Sequence, residues 1–178
     1  MPKLSELEGV VLGIVGRLSS CTAYAVRKEL ARSPSTHWSA SAGSIYPLVE
    51  RLEGRGLIKS EVDPADGRGR RTVQLTKRGR AELEGWIMEA VDPAVTARVF
   101  DGVRTRTFFL GALPLRERRK VVRGCLVSLE RLQETARDDL EERVQKGDRF
   151  AVLAARGAVL SIEARIRWMR EVADALRT

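Results

Sequence analysis

The chain has 178 residues, of which 43% are hydrophobic, 31% charged and 5% aromatic. That composition folds around an aliphatic core, as one domain or two small ones sharing it, and excludes the disordered and collagen-like classes. Lys and Arg number 32 against 24 Asp and Glu, a formal +8, which permits an anionic partner without proving one.

In chain order, Leu4, Leu7, Val11, Ile14 and Leu18 recur at spacings of three and four, the stripe of an amphipathic helix over 4–18. Ser19 and Ser20 end it. Thr22 caps a second helix, Ala23 to Ala31, with Ala23, Tyr24, Val26 and Leu30 as inward candidates. A loop of small residues around Pro34 follows. Ser39, Ser41 and Gly43 announce a third helix that starts near 42–44. Its buried face is Ile45, Leu48, Val49 and Leu52, and its outer face Ser44, Pro47 and Arg51. Pro47 is tolerated only near the helix start, where backbone N–H groups lack partners anyway. Gly54 and Gly56 stop the helix.

Next comes a period-two pattern. Ile58 and Val62 alternate with Lys59 and Glu61. Pro64, Asp66, Gly67 and Gly69 make a turn, and Val73 and Leu75 then alternate with Thr72 and Gln74. This reads as a two-stranded hairpin with a long tip. Thr76 caps a fourth helix to about Ala90, with Leu83, Trp86 and Ile87 inward.

Three helices, a hairpin and a helix is the order of a winged helix-turn-helix. A helix fits the major groove of DNA, and the outer residues of the third are small or Arg. The hairpin tip reads Gly67-Arg68-Gly69-Arg70-Arg71. Its glycines let the backbone approach a duplex while the arginines meet phosphates or the minor groove. From Gly67 to Arg80 there are six basic residues and no acidic one.

The run Gly43-Ser44-Ile45-Tyr46-Pro47-Leu48-Val49-Glu50-Arg51-Leu52-Glu53, with Gly56-Leu57-Ile58, resembles the recognition-helix signature of PadR-type transcriptional regulators. Leu75-Thr76-Lys77-Arg78-Gly79 resembles that family's strand-to-helix step after the wing, and 12–30 its first two helices. The resemblance covers about residues 4–90. It implies that Ser44, Tyr46 and the residues around them (Ser41, Gly43, Pro47 and Arg51) face DNA, with Arg68, Arg70 and Arg71 on the wing. For Tyr46 both a phosphate contact and a buried aromatic stay open. The resemblance further implies a homodimer, often a repressor, relieved in some members by a small molecule.

Asp92 and Pro93 break the chain. A helix is expected over about Val99 to Leu110, carrying Phe100, Val103, Phe108 and Phe109. Pro114 begins a long one to about Gln145. Its near-heptad stripe is Val122, Leu126, Leu129, Leu132, Ala136, Leu140 and Val144, ~45 Å long at ~1.5 Å per residue. Gly147 turns the chain into a last helix, Phe150 to Leu176. Leu153, Leu160, Ile162, Ile166, Met169, Val172 and Leu176 make it apolar on more than one face. Two long antiparallel helices cannot bury all of that, and a second subunit would. The expected fold is therefore mainly α. A winged helix-turn-helix with a small hairpin wing occupies 1–90, and long antiparallel helices for dimerisation, with a possible effector site, occupy 91–178. Trp86, Phe108, Phe109 and Trp168 are candidates to line an effector pocket, against the plainer reading of core aromatics.

The rest of the sequence argues against chemistry. His37 is the sole histidine, so no two-His metal site is possible, and no metal or cofactor is expected. Cys21 and Cys125 lie far apart, outside any Cys-x-x-Cys pattern, and read as buried thiols. Asp138, Asp139, Glu141 and Glu142 form a solvated acidic face. There is no P-loop, dinucleotide fingerprint or nucleophile elbow, and an enzyme is not expected. No basic-then-apolar leader and no apolar run of ~18 residues stands out, so a cytoplasmic protein without membrane contact is the expectation. The favoured function is a dimeric regulator that binds double-stranded DNA at a near-palindromic operator. The alternative is a winged-helix module that binds protein instead.

Overall fold

The computed structural model describes residues 3–31, 44–62, 71–92 and 101–177, and the chain divides into two compact units, Met1–Val99 and Phe100–Thr178. The expected loop around Pro34, with His37, Ser41 and Gly43, the hairpin tip with Arg68 and Arg70, and Phe100 lie outside the described residues.

In the first unit, Ser5 opens helix α1 (Glu6–Leu18). Its hydroxyl accepts from the Glu8 amide, 3.3 Å, while the Glu8 carboxylate accepts from the Ser5 amide, 2.9 Å. This reciprocal cap satisfies two N–H groups that a helix start leaves without partners. Helix α2 (Ala23–Ala31) starts as expected from Thr22, whose Oγ1 accepts from the Ala25 amide at 3.1 Å. Helix α3 spans Ile45–Gly54, and Ile45, Leu48, Val49 and Leu52 are its buried residues, the face expected from spacing. Pro47 sits in its first turn, where it forfeits no helical hydrogen bond. Gly56 ends the helix at φ +69, a conformation glycine adopts without a Cβ clash.

Strands β1 (Ile58–Val62) and β2 (Arg71–Leu75) pair antiparallel with Ile58 opposite Leu75, Ser60 opposite Val73 and Val62 opposite Arg71. Cys21 adds one rung by exchanging backbone bonds with Val73. Thr76 caps helix α4 (Lys77–Met88) by accepting from the Gly79 amide at 2.9 Å, and a short 3-10 turn follows over Glu89–Val91. Val11, Leu12, Val15, Val26, Leu30, Leu52, Leu57 and Ile58 are central to a core that also takes in Leu83 and Trp86.

Four inward assignments need correction. Leu18 is exposed because the chain leaves α1 there, with Ser19 at φ 59. Tyr24 is exposed, its ring under the Arg27 guanidinium at 5.5 Å. Ile87 is exposed at the edge of the inner stripe of α4, which runs through Gly79, Leu83 and Trp86. Val62 is exposed because the core covers only the base of the hairpin.

In the second unit Asp101 caps helix α5 (Gly102–Phe108), accepting from the Val103 and Arg104 amides. It is shorter than the helix expected over 99–110, since a 3-10 turn takes Leu110–Ala112. Helix α6 (Leu115–Lys146) follows Pro114, and helix α7 (Arg149–Ala175) follows Gly147, which takes the left-handed conformation at φ 71. The two form an antiparallel hairpin. Val122, Leu129 and Ala136, seven residues apart, are buried with Val159, Ile162, Ile166 and Met169, a heptad seam. Val144, the last position of the expected stripe, is exposed. No described helix is long and apolar enough to cross a membrane.

Candidate nucleic-acid interface

The outer face of α3 follows from its inner one. With Ile45, Leu48, Val49 and Leu52 turned into the core, Ser44, Tyr46, Pro47, Glu50 and Arg51 are left outside. Tyr46 is half exposed, which settles it as a surface aromatic. It lines a groove with Thr22, Tyr24, Glu50 and Arg71, so α2, α3 and the hairpin present one continuous surface. That surface joins aromatic hydroxyls and a guanidinium, groups that meet phosphate oxygens.

Of the predicted set, Ser44, Tyr46, Pro47 and Arg51 are exposed along α3, and Arg71 lines the groove with Tyr46. Two of the cations are already paired. Arg51 Nε lies 3.4 Å from Glu8 Oε1, and the neighbouring Arg55 Nη1 lies 2.9 Å from the same oxygen. The Arg51 side chain is still 59% exposed, so it can reach outward while Glu8 steadies its base. Arg71 is ion-paired to Glu53 of α3, and the same carboxylate accepts from the Ser60 hydroxyl.

Burial pushes the Glu8 carboxyl up, but the Ser5 amide, the Arg55 guanidinium and the Ser5 hydroxyl outweigh it. The net position is below the usual carboxylate range. A depressed folded-state value means stability that is present above the ordinary Glu titration and lost as pH falls through the folded one. Glu8→Gln is therefore expected to cost about 1–3 kcal/mol at pH 7. The gap to the unsubstituted chain should narrow as pH drops below ~4.3. Urea denaturation of both proteins at pH 7 and pH 3.5 checks this, and a gap of equal size at both values would overturn it.

Sequence reasoning missed Glu8, Glu53 and Arg55. For Glu8 a local signal existed, since Ser5-Glu6-Leu7-Glu8 has capping-box spacing. Glu53 and Arg55 carry none, because their partners come from other elements.

The four aromatic candidates fall in different units. Trp86 lies under α1, close enough that a Cβ on Gly9 would sit 2.3 Å from its ring, and it lines a groove with Lys3, Leu4, Arg78, Glu82 and Glu89. Trp168 packs beside the buried seam of α6 and α7. Phe108 is 84% exposed, and its ring meets that of Phe109 edge-on at 5.1 Å. Burial pushes the Cys21 thiol up, as an inert cysteine requires, whereas Cys125 is partly exposed. Among the described residues no group of three His, Cys, Asp or Glu side chains could hold a metal ion.

Comparison with known proteins agrees with this geometry. Residues 11–85 match the model of the transcriptional regulator PadR-like family. The transcriptional regulator Rv3488 of Mycobacterium tuberculosis is 44% identical over 55 residues, 30% of this chain and about half, 51%, of that protein. Among solved structures, Bacillus subtilis PadR in complex with operator DNA aligns with a TM-score of 0.83 at 18% identity, over 98% of this chain and 99% of that one. The same protein in complex with p-coumaric acid aligns at 0.73 and 18%, over 97% and 96%. At these identities the structural likeness speaks for the fold.

Proposed function

We propose that this chain is a regulator of the PadR-like family, whose model residues 11–85 match, and that it binds operator DNA as a homodimeric transcriptional repressor in the cytoplasm. The observation that carries the reading is the outer face of α3, with Ser44, Tyr46, Pro47 and Arg51 outside and a hairpin wing beside it, in the segment that matches the family. Two such helices, one from each copy, enter successive major grooves of a near-palindrome, ~34 Å apart. Ser41 and Gly43 precede α3 and approach the duplex with it, and Arg68 and Arg70 of the wing neutralise flanking phosphates. Nothing in this mechanism requires covalent chemistry.

The dimer forms through the second unit. Val121, Val127, Leu153 and Leu160 are apolar and exposed in the single chain, and a second copy covers them. A small-molecule effector tunes the regulator, as the p-coumaric acid complex of Bacillus subtilis PadR suggests. It binds one separation of the recognition helices better than the other, and its leverage equals that difference in affinity. Phe108 and Phe109 are the exposed aromatic pair of the second unit available to it.

Selection from a randomised duplex pool at near-physiological salt tests the reading. The expected result is enrichment of a near-palindrome with half-sites one turn apart. On the enriched duplex, Arg68→Ala with Arg70→Ala is expected to lower the slope of log affinity against log salt by about 1.8, or ~0.9 for each lost phosphate contact. Binding without enrichment, held only at low salt, would overturn specific recognition and favour the protein-binding module.

A further inference from the structure

We propose that Glu53 is a positioning residue that fixes the wing against the recognition helix, and that Arg71 serves this clamp instead of a DNA phosphate. The inference rests on the DNA-binding reading above.

Glu53 lies in the last turns of α3. One of its carboxylate oxygens accepts from the Ser60 hydroxyl on β1, and the other accepts from Arg71 Nη2 on β2. The strand register puts Ser60, Val62, Arg71 and Val73 on the same face of the hairpin. A single side chain on the helix thus holds both strands of the wing. The core does the same only at the hairpin base. Ile58 and Val73 are 2% exposed, whereas Val62, opposite Arg71, is 61% exposed. Glu53 acts at the level where core packing gives out and the wing leaves the body of the unit.

Simple electrostatics gives the opposite expectation for this site. A carboxylate on a DNA-reading surface repels phosphates, and its removal should tighten binding. Likewise Arg71, counted with Arg68 and Arg70, should add a phosphate contact. The geometry assigns both charges to each other. The Arg71 side chain, whose Nη2 is committed to Glu53, is 54% exposed, so the pair adds little to the stability of the unit. Its contribution is to hold the wing in one orientation before DNA arrives, which lowers the ordering cost of binding.

The test titrates the full chain, with Glu53→Ala, Arg71→Ala and the double substitution, against the enriched duplex and a scrambled one over a range of salt. Each single substitution is expected to weaken binding to the enriched duplex about tenfold, ~1.4 kcal/mol, and the double to be no worse than either. Neither changes the salt slope, and the unfolding midpoint stays within 2–3 °C. Glu53→Gln, which keeps one acceptor, recovers part of the loss. The clamp is overturned if Glu53→Ala tightens binding, or if Arg71→Ala lowers the slope by ~0.9, the mark of a phosphate contact. If the unsubstituted chain does not discriminate the two duplexes, the DNA-binding reading fails. The clamp is then judged by amide hydrogen exchange in the free protein. Glu53→Ala should speed exchange at Glu61 and Thr72, which face each other as a hydrogen-bonded pair, and unchanged rates there overturn it.

Discussion

Replacing Gly79 by alanine is expected to destabilise the N-terminal unit by about 2–4 kcal/mol. Helix propensity alone predicts the reverse, because Ala in an exposed helix is favoured over Gly by ~1 kcal/mol. Gly79 is not exposed. A Cβ there would lie 1.8 Å from the Leu57 carbonyl oxygen and 2.8 Å from its carbon. These are backbone atoms and cannot swing aside as a flexible side chain would. The Leu57 carbonyl also accepts from the Thr76 amide at 3.1 Å and from the Thr76 hydroxyl at 3.2 Å, and that hydroxyl lies 2.7 Å from the Gly56 carbonyl oxygen. Displacing Leu57 would therefore loosen the cap of α4 and the exit from α3 together. The comparison within the same helix is Gly85→Ala, where a Cβ meets nothing within 4 Å. That substitution is expected to be neutral or to stabilise by up to ~1 kcal/mol. Hydrogen exchange of α1 amides reads the stability of this unit by itself. Equal effects of the two substitutions would refute the role given to Gly79.

The same glycine shows what the sequence discloses. It was visible as the last residue of a Leu-Thr-x-x-Gly step, and local chemistry explained only the threonine. The reason for the glycine is a carbonyl 22 residues earlier in the chain. The same division recurs along the chain. Helix starts at Thr22, Thr76 and Pro114 and turns at Gly56 and Gly147 were legible, because caps and left-handed turns are decided within a few residues. The inner face of α3 was legible because four aliphatic residues at helical spacing leave one solution. Tyr24 and Ile87 were misplaced because each borders an apolar stripe, and only the packing partner decides which side it faces. The ion pairs of Glu8 with Arg51 and Arg55 span 43 and 47 residues, and that of Glu53 with Arg71 spans 18. No periodicity encodes such pairs. The candidate surface was therefore readable as a face and a wing, but not the carboxylates that hold its arginines in place.

Leu153→Glu with Leu160→Glu is expected to turn the protein into a monomer and to weaken operator binding by about two orders of magnitude or more. The buried stripe of α7 is Ala151, Ala155, Val159, Ile162, Ile166 and Met169. Leu153 and Leu160, seven residues apart, fall outside it and are each 54% exposed. The second unit therefore keeps its own core when both are replaced. In a dimer each leucine, 54% exposed in the single chain, would bury further apolar surface worth about 0.8–1.6 kcal/mol, roughly half the value for a fully exposed side chain, and the twofold axis doubles every change. A glutamate in its place loses that term and adds an unpaired charge to the interface. The effect on DNA follows from linkage of the two half-sites. A dimer that has bound one half-site meets the second at high effective concentration, a gain of ~10²–10⁴ in affinity without a new contact. The double variant should lose that gain and nothing else. It should sediment as a single chain, bind an isolated half-site as well as the unsubstituted protein does, and show no preference for the full operator. A variant that remains dimeric would place the interface elsewhere on the chain. A monomer that still prefers the full operator would show that the two half-sites are read without the second unit.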